Sequence, residues 1–258
     1  MRPSRLSILS QPFGNVHLFW RCHNREYLLD RPGAKKLFFQ SLILGLKHRS
    51  SDDSVKLHSF CLMSNHVHQQ MSYSNGANKL SHFMRVAHGI FGRLFNNAFK
   101  RSGKVANERP KTSLIGDEIS QMRVHFYIEA NPIRAGMTKV EKLRFFFWNS
   151  YRYYAFGVED EFTKNLTQPD WYRRLGNNPL ERQRIYRKLF LSYLKRSTDK
   201  WPQFIARYIG PASWINSQES ILKSLSKFRI ADKFSNSLST LVSENSGDPY
   251  QKGQALRV

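Results

Sequence analysis

Two histidines separated by a single residue, His66 and His68, have a spacing that suits chemistry. They lie in the stretch HVHQQMSY, whose β-branched and aromatic residues predict a strand. Side chains alternate between the two faces of a strand, so both imidazoles share one face and Val67 lies on the other. Such a pair can bind a metal ion, but a catalytic zinc site usually needs three protein ligands. Either a third ligand comes from elsewhere, or the two histidines are ordinary strand residues.

A predicted helix carries further reactive side chains in the stretch RVHFYIEANPIRAG. Its buried stripe is predicted from the spacing of Ile119, Met122, Phe126, Ala130 and Ile133. The adjoining face carries Arg123, Tyr127, Asn131 and Arg134. It offers a phenol as nucleophile, an amide oxygen as metal ligand and two guanidiniums for phosphate. Composition and spacing leave this interpretation and a purely structural helix equally open.

The charge of the chain indicates a polyanionic partner. Among 258 residues there are 41 Lys and Arg against 19 Asp and Glu, giving a formal charge of +22 and an isoelectric point near 10.3. Nucleic acid is the first expectation for such a surface. With 40% hydrophobic and 14% aromatic residues, the chain also has enough apolar side chains to form a core.

Other classes of protein are disfavoured. The sequence has no apolar run of about 18 residues that would span a bilayer, and the apolar stretch at its start is too short for a signal peptide. We therefore expect no membrane association and a cytoplasmic location. Cys22 and Cys61 show no CxxC spacing and are expected to be reduced, buried thiols.

The order of predicted elements indicates the fold. Strands are predicted at 16–22, 55–63, 66–73 and 109–115, and helices at 34–49, 77–100 and from an N-cap at Asp117 to a stop at Gly136. This order predicts an α+β domain with a ferredoxin-like antiparallel sheet and helices packed on it. Pro132 predicts a kink at Asn131.

Three parts of the chain differ in character. Residues 1–157 form the predicted domain, and residues 158–234 form a basic, mainly helical C-terminal extension with a helix at 180–195. Residues 235–258 are rich in Ser, Asn and Gly and are expected to be disordered.

Basic residues crowd the second helix and the loop after it. We expect DNA contacts from Arg85, Arg93, Lys100, Arg101, Lys104, Arg109 and Lys111. For Arg85 and Arg93, a solvated helix face is a reasonable alternative explanation. The dense group between Lys100 and Lys111 is tolerated best when a polyanion neutralises it.

Four segments in order resemble the HUH single-tyrosine transposases of small bacterial insertion sequences, and most closely the REP-associated tyrosine transposases. They are RCHNRE at 21–26, LMSNHVH at 62–68, FYIEANPIRAGM at 126–137 and WNSY at 148–151, and the resemblance covers about 13–157. The family usually has Pro in place of Ser64 and apolar residues in place of Gln69 and Gln70. If the face of Gln69 is core, this side chain needs a hydrogen-bond partner.

The resemblance implies a metal-dependent endonuclease and strand transferase acting on single-stranded or hairpin DNA. In that case His66, His68 and Asn131 hold a divalent ion, Mg²⁺ or Mn²⁺, although these donors alone suit manganese or zinc better. Tyr127 attacks a phosphodiester to form a 5′-phosphotyrosine, and Arg123 or Arg134 helps to activate it.

Two alternatives keep the fold without this chemistry. One is a non-catalytic nucleic-acid-binding regulator, and the other is a hydrolase in which water attacks instead of Tyr127. The sequence shows no interface stripe that would decide between a monomer and a homodimer.

Overall fold

The computed structural model describes residues 8–9, 11–48, 53–106, 108–196 and 206–224. The predicted tail at 235–258 lies outside these residues, as does the last part of the predicted extension. The chain divides into two compact units, 1–215 and 216–258. In the second unit, the described residues 216–224 are helical. None of the helices in the described part of the chain is long and apolar enough to cross a membrane.

A five-stranded sheet forms the centre of the first unit. Its strands are β1 Gly14–Arg21, β2 Val55–Leu62, β3 His66–Tyr73, β4 Lys111–Ile115 and β5 Tyr208–Ile209. The spatial order is β2-β3-β1-β4-β5, and the first four strands pair antiparallel. This order confirms the predicted α+β ferredoxin-like sheet. The two-residue strand β5 adds a parallel pair at the edge of β4, which the sequence did not predict.

The helices follow the predicted order, with ends shifted by a few residues. They are α1 Ala34–Leu46, α2 Ala77–Ala98, α3 Glu118–Arg134, α4 Tyr151–Phe156, α5 Asp170–Arg173 and α6 Pro179–Arg196. Short 3₁₀ turns lie at His23–Arg25, Leu28–Asp30, Val140–Phe145 and Thr163–Asn165. The helix predicted in the extension is confirmed as α6.

Helices α1 and α2 cover one face of the sheet with aromatic side chains. Trp20 of β1 packs against Phe38 of α1 and Phe91 of α2, with ring centroids 5.2 and 5.6 Å apart. Phe39 of α1 packs against Phe60 of β2 at 4.7 Å. Because strand side chains alternate, the neighbours of Trp20 on β1 face the other side of the sheet, towards α3.

Helix α3 differs from its predicted burial pattern. Asp117 is the predicted N-cap and accepts a hydrogen bond from the Ser120 backbone N–H at 2.6 Å. The predicted stripe is wrong at Ile119, which is 59% exposed, whereas every residue from Val124 to Pro132 is buried. The helix is buried almost all round because the sheet packs on one side and α6 on another.

The segment WNSY completes the edge of the sheet at β2. The Leu62 N–H donates to the Trp148 carbonyl at 2.9 Å, and the Ser150 N–H donates to the Phe60 carbonyl at 3.1 Å. Asn149 donates through Nδ2 to the Glu129 carbonyl of α3 at 2.9 Å. This segment therefore ties β2 to α3.

Candidate active site

The two histidines of β3 lie on the sheet face that α3 covers. In the strand register His66 is opposite Arg21 and His68 is opposite Phe19, both on β1. The imidazole centroids are 5.1 Å apart, and the Phe19 ring lies 5.6 Å from His66 and 5.0 Å from His68. The strand thus places the two rings side by side, as its two-residue period predicts.

A hydrogen bond at Nδ1 fixes each imidazole. Nδ1 of His66 lies 2.7 Å from Oδ1 of Asn65, and Nδ1 of His68 lies 2.9 Å from Nε2 of His17. In the tautomers in which Nδ1 donates, the Nε2 lone pair of both rings remains for a metal ion. Hydrogen bonds of this kind orient metal-binding histidines and raise their basicity.

Both imidazoles are neutral at pH 7. Burial, and secondarily the positive charges of Arg21 and Arg134, lowers the pKa of His66 from 6.5 to about 4. Burial, followed by the neighbouring His17 and His66, lowers the pKa of His68 well below 6.5. Neutral imidazole is the form that binds metal, so neither ring would have to lose a proton to bind a cation.

Tyr127 of α3 lies against the histidine pair. Its ring contacts His68 edge to face with centroids 5.5 Å apart, and His17 in the same way at 5.8 Å. The guanidinium carbon of Arg134 lies 4.5 Å from the centre of the Tyr127 ring. Tyr127 is only 5% exposed. The sheet and α3 therefore bring the predicted nucleophile to the predicted ligands.

Asn131 has a structural role besides its predicted one. Pro132 has no N–H, so the carbonyl of Ile128 loses its helical partner, and the predicted consequence was a kink. Helix α3 continues past Pro132 to Arg134. Nδ2 of Asn131 donates to the Ile128 carbonyl at 3.3 Å and to the Tyr127 carbonyl at 2.9 Å. Since the amide nitrogen makes both contacts, Oδ1 is the atom that can bind a metal.

The donor set suits a divalent cation with additional ligands from substrate or water. Among the described residues there is no group of three or more His, Cys, Asp or Glu placed to hold a metal ion. A metal ion held here would need the imidazoles of His66 and His68 together with an amide oxygen, such as that of Asn131. Open positions of this kind are typical of catalytic rather than structural metal sites.

The predicted DNA-binding cations divide among several places. Arg85, Lys104 and Arg109 line an open groove of about 540 Å³ between α2 and the loop after it. Arg109 and Lys111 also line a cavity of about 240 Å³ beside Phe19. Together these two cavities are lined by four of the predicted cations, Arg85, Lys104, Arg109 and Lys111.

Other predicted cations have different surroundings. Arg101 lies 4.0 Å from the Glu26 carboxylate and over the ring of Phe95, so it contacts the protein itself. Arg93, Lys100 and Arg123 are exposed and line neither cavity. Of the two arginines predicted beside Tyr127, Arg134 is the one that contacts its ring.

Three residues near the histidines escaped the sequence analysis. His17, Phe19 and Arg21 occupy alternate positions of β1 and face α3 with His66 and His68. A pattern in the sequence could have shown them: in VHLFWR at 16–21, His17, Phe19 and Arg21 alternate with the apolar residues Val16, Leu18 and Trp20. From the sequence alone this run is predicted only as a strand.

Gln69 and Gln70, which stand where the resembled family usually has apolar residues, have different surroundings. Gln70 donates to the Gln121 carbonyl at 3.2 Å, and its Oε1 accepts from Nδ1 of His125 at 3.0 Å. Gln69 points to the face of α1 and α2, where its Nε2 is buried and has no hydrogen-bond partner among the described residues. Gln70 is thus accommodated, whereas Gln69 costs stability.

A buried carboxylate of α3 holds the extension. Glu129 is fully buried and accepts hydrogen bonds from Ser150 Oγ at 2.6 Å and from the Tyr186 hydroxyl of α6. Nε2 of His125 lies 3.4 Å from the same carboxylate. His125 itself donates from Nδ1 to Gln70 of β3, on the sheet face that carries His66 and His68.

Comparison with known proteins supports the family resemblance. Residues 12–131 match the family model described as IS200-like transposase. The matched stretch includes both histidines and Tyr127 and ends at Asn131. The resemblance predicted from the four sequence segments is therefore confirmed over these residues.

One solved structure that this chain is similar to is a REP-associated tyrosine transposase bound to a REP hairpin. The two are 15% identical with a TM-score of 0.45, and the similarity covers 57% of this chain and 82% of that chain. Among curated proteins, no significant relative was found.

Proposed function

We propose that this chain, whose residues 12–131 match IS200-like transposases, is a metal-dependent single-stranded DNA endonuclease and strand transferase acting at DNA hairpins. The observation that carries the proposal is the contact of Tyr127 with His68, at 5.5 Å between ring centroids. A nucleophile on a helix and an oriented imidazole pair on a strand are supplied by one chain. This arrangement suits attack on a phosphate held by a cation.

His66, His68 and Asn131 would hold the divalent ion, Mg²⁺ or Mn²⁺. Asn65 and His17 fix the two imidazoles, and the contacts of Asn131 Nδ2 turn Oδ1 away from the backbone. When bound, the ion supplies charge stabilisation to the scissile phosphate and the leaving oxygen. Two imidazoles and one amide suit manganese at least as well as magnesium.

Tyr127 would act as the nucleophile in a transesterification. Its Oη forms a bond to phosphorus while the bond to the 3′-oxygen breaks, the phenol proton passes to solvent and the 3′-oxygen takes up a proton. The products are a 5′-phosphotyrosine and a free 3′-hydroxyl, and the reverse reaction on another strand gives strand transfer. Arg134, over the ring of Tyr127, would stabilise the phenolate and the charge on the phosphorane.

The catalytic domain and the C-terminal extension would have different roles. Catalysis belongs to residues 1–157, and the basic extension at 158–234 supports α3 through the contact of Tyr186 with Glu129. DNA in single-stranded or hairpin form would lie along the cations that line the groove and the cavity beside Phe19, together with the exposed Arg93, Lys100 and Arg123.

The test is a search for a covalent adduct. The full chain is incubated with labelled hairpins that carry single-stranded flanks, with Mn²⁺ or Mg²⁺ or with EDTA, and resolved on denaturing gels. We expect a protein-DNA band that requires the metal, disappears in Tyr127→Phe and His66→Ala, and persists in the control Tyr27→Phe, whose side chain is 69% exposed.

Each other outcome identifies an alternative. Metal-dependent cleavage without a covalent band, undiminished in Tyr127→Phe, would overturn the tyrosine mechanism in favour of attack by water. Hairpin binding without cleavage or adduct, with both metals, would leave a non-catalytic nucleic-acid-binding regulator.

A further inference from the structure

A small basic pocket adjoins the histidine pair. Its walls are Phe19, Arg21, Arg25, Glu108, Arg109 and Lys111, and its volume is about 240 Å³. Four cations therefore face one carboxylate. An anion of the size of phosphate suits such a cavity, because it neutralises cations that otherwise repel one another.

The pocket is in register with the metal ligands. Arg21 lies directly opposite His66 on the neighbouring strand, and its guanidinium carbon lies 4.9 Å from the centre of the Phe19 ring. The same Phe19 ring contacts both imidazoles. The Nε atom of Arg21 is buried and has no hydrogen-bond partner among the described residues. A buried donor in this position indicates a missing acceptor.

One side chain fixes both the pocket and a metal ligand. Oδ1 of Asn65 holds Nδ1 of His66, and Nδ2 of Asn65 donates to the Arg25 carbonyl at 2.9 Å. Arg25 has a φ of 59° and the preceding Asn24 a φ of 48°, both in the left-handed region that non-glycine residues rarely adopt. Strained backbone held by a specific contact is common at functional sites.

We infer that this pocket binds the DNA backbone phosphate next to the one that is cleaved. The inference rests on the proposed function and adds a position for the substrate. With the scissile phosphate at His66 and His68, the adjacent phosphate lies against Arg21 and Arg25, and Asn65 keeps the two positions in register. Arg21 and Arg25 are thus substrate-binding residues that the IS200-like match alone does not assign.

The test combines protein variants with neutralised phosphates. Hairpin binding is measured by fluorescence anisotropy with Mn²⁺, in a Tyr127→Phe background that cannot form the adduct, with a single uncharged methylphosphonate placed at each position around the cleavage point. We expect one flanking position at which neutralisation weakens binding by about tenfold.

The protein variants Arg21→Ala and Arg25→Ala should cause a similar loss of affinity. Combining either variant with the DNA neutralised at that position should add little more. Arg93→Ala, on the exposed face of α2, is the control and should add its effect independently.

The outcomes separate this inference from the proposed function. Suppose that the unsubstituted protein forms the covalent adduct, but that the loss of affinity from neutralising any flanking phosphate simply adds to the loss from Arg21→Ala or Arg25→Ala. The pocket assignment is then wrong, and the mechanism stands. If the protein binds no hairpin, both fail. Folding of each variant is checked by circular dichroism. If an arginine variant unfolds, the methylphosphonate series with the Tyr127→Phe protein alone still shows whether one flanking phosphate is needed for binding.

Discussion

Nε2 of His17 lies 2.9 Å from Nδ1 of His68, and the two imidazoles are stacked with an angle of 9° between their planes. The hydrogen bond fixes which nitrogen of His68 faces the site, and it does so from the neighbouring strand. His17 also contacts the Tyr127 ring. One residue of β1 therefore positions both the candidate ligand and the candidate nucleophile.

The first prediction concerns His17. His17→Leu should weaken Mn²⁺ binding by about 10- to 100-fold, because the second hydrogen bond of a metal-binding histidine sets its orientation and basicity. Isothermal titration calorimetry with Mn²⁺ measures the change. His17→Gln keeps an acceptor near Nδ1 of His68 and should recover part of the affinity.

The control for this series is His48→Ala, since His48 lies at the end of α1 and contacts His82 instead of the site. Equal Mn²⁺ affinity in His17→Leu and the unsubstituted protein, both folded by circular dichroism, would show that His17 does not support the metal ligand.

The fold could be predicted largely because its elements have regular hydrophobic periods. The pairing of His66 and His68 follows from the two-residue period of a strand alone. The buried stripe of α3 could not be predicted at Ile119, since a helix covered by the sheet and by α6 has no simple amphipathic pattern. Strand β5 was missed because two residues are too short to show any period.

The site was predicted less completely than the fold. Tyr127 and Asn131 stand out because polar residues repeat at helical spacing. Asn131 also has a role that only the folded helix shows, because its side-chain amide donates to the Ile128 carbonyl that Pro132 leaves without a helical donor. His17 and Arg21 become visible only once the register of β1 with β3 is known, because single polar residues in a strand carry little information.

The second prediction concerns the anchor between α6 and α3. Tyr186→Phe removes the hydroxyl that donates to Glu129 and should lower the free energy of unfolding by about 1–3 kcal/mol, because a buried carboxylate loses a partner. Urea denaturation measures the loss. Tyr27→Phe, on the surface, should change stability by less than about 0.5 kcal/mol. Equal stability of the two variants would mean that the contact does not hold the extension.

The third prediction is a loss of stability in mild acid. Burial lowers the pKa of His58 from 6.5 to about 4, and its ring contacts the Thr167 carbonyl and Ser72 Oγ, both at 2.8 Å. Between these pH values the unfolded chain binds a proton that the folded chain excludes, so the free energy of unfolding falls as the pH falls. His66 has the same direction of shift and adds to the effect.

Urea midpoints at pH 7, 6 and 5, measured in EDTA so that no metal competes for protons, test this expectation. His58→Gln should make the pH dependence shallower even if it lowers stability at pH 7. A midpoint that stays constant or rises between pH 7 and pH 5 would contradict neutral, buried histidines in the folded state.

The fourth prediction separates cations that meet DNA from cations that serve the fold. If about six phosphates are contacted, the logarithm of the affinity should fall against the logarithm of salt concentration with a slope of about −4 on single strands. Lys104→Ala should make that slope shallower by about 0.7, since Lys104 lines the open groove beside Arg109. Arg101→Gln should leave the slope unchanged, because Arg101 already contacts Glu26 and Phe95. Anisotropy titrations from low to moderate salt measure both slopes. The opposite result, a change with Arg101 and none with Lys104, would place the DNA on the Arg101 side of the loop instead of in the groove.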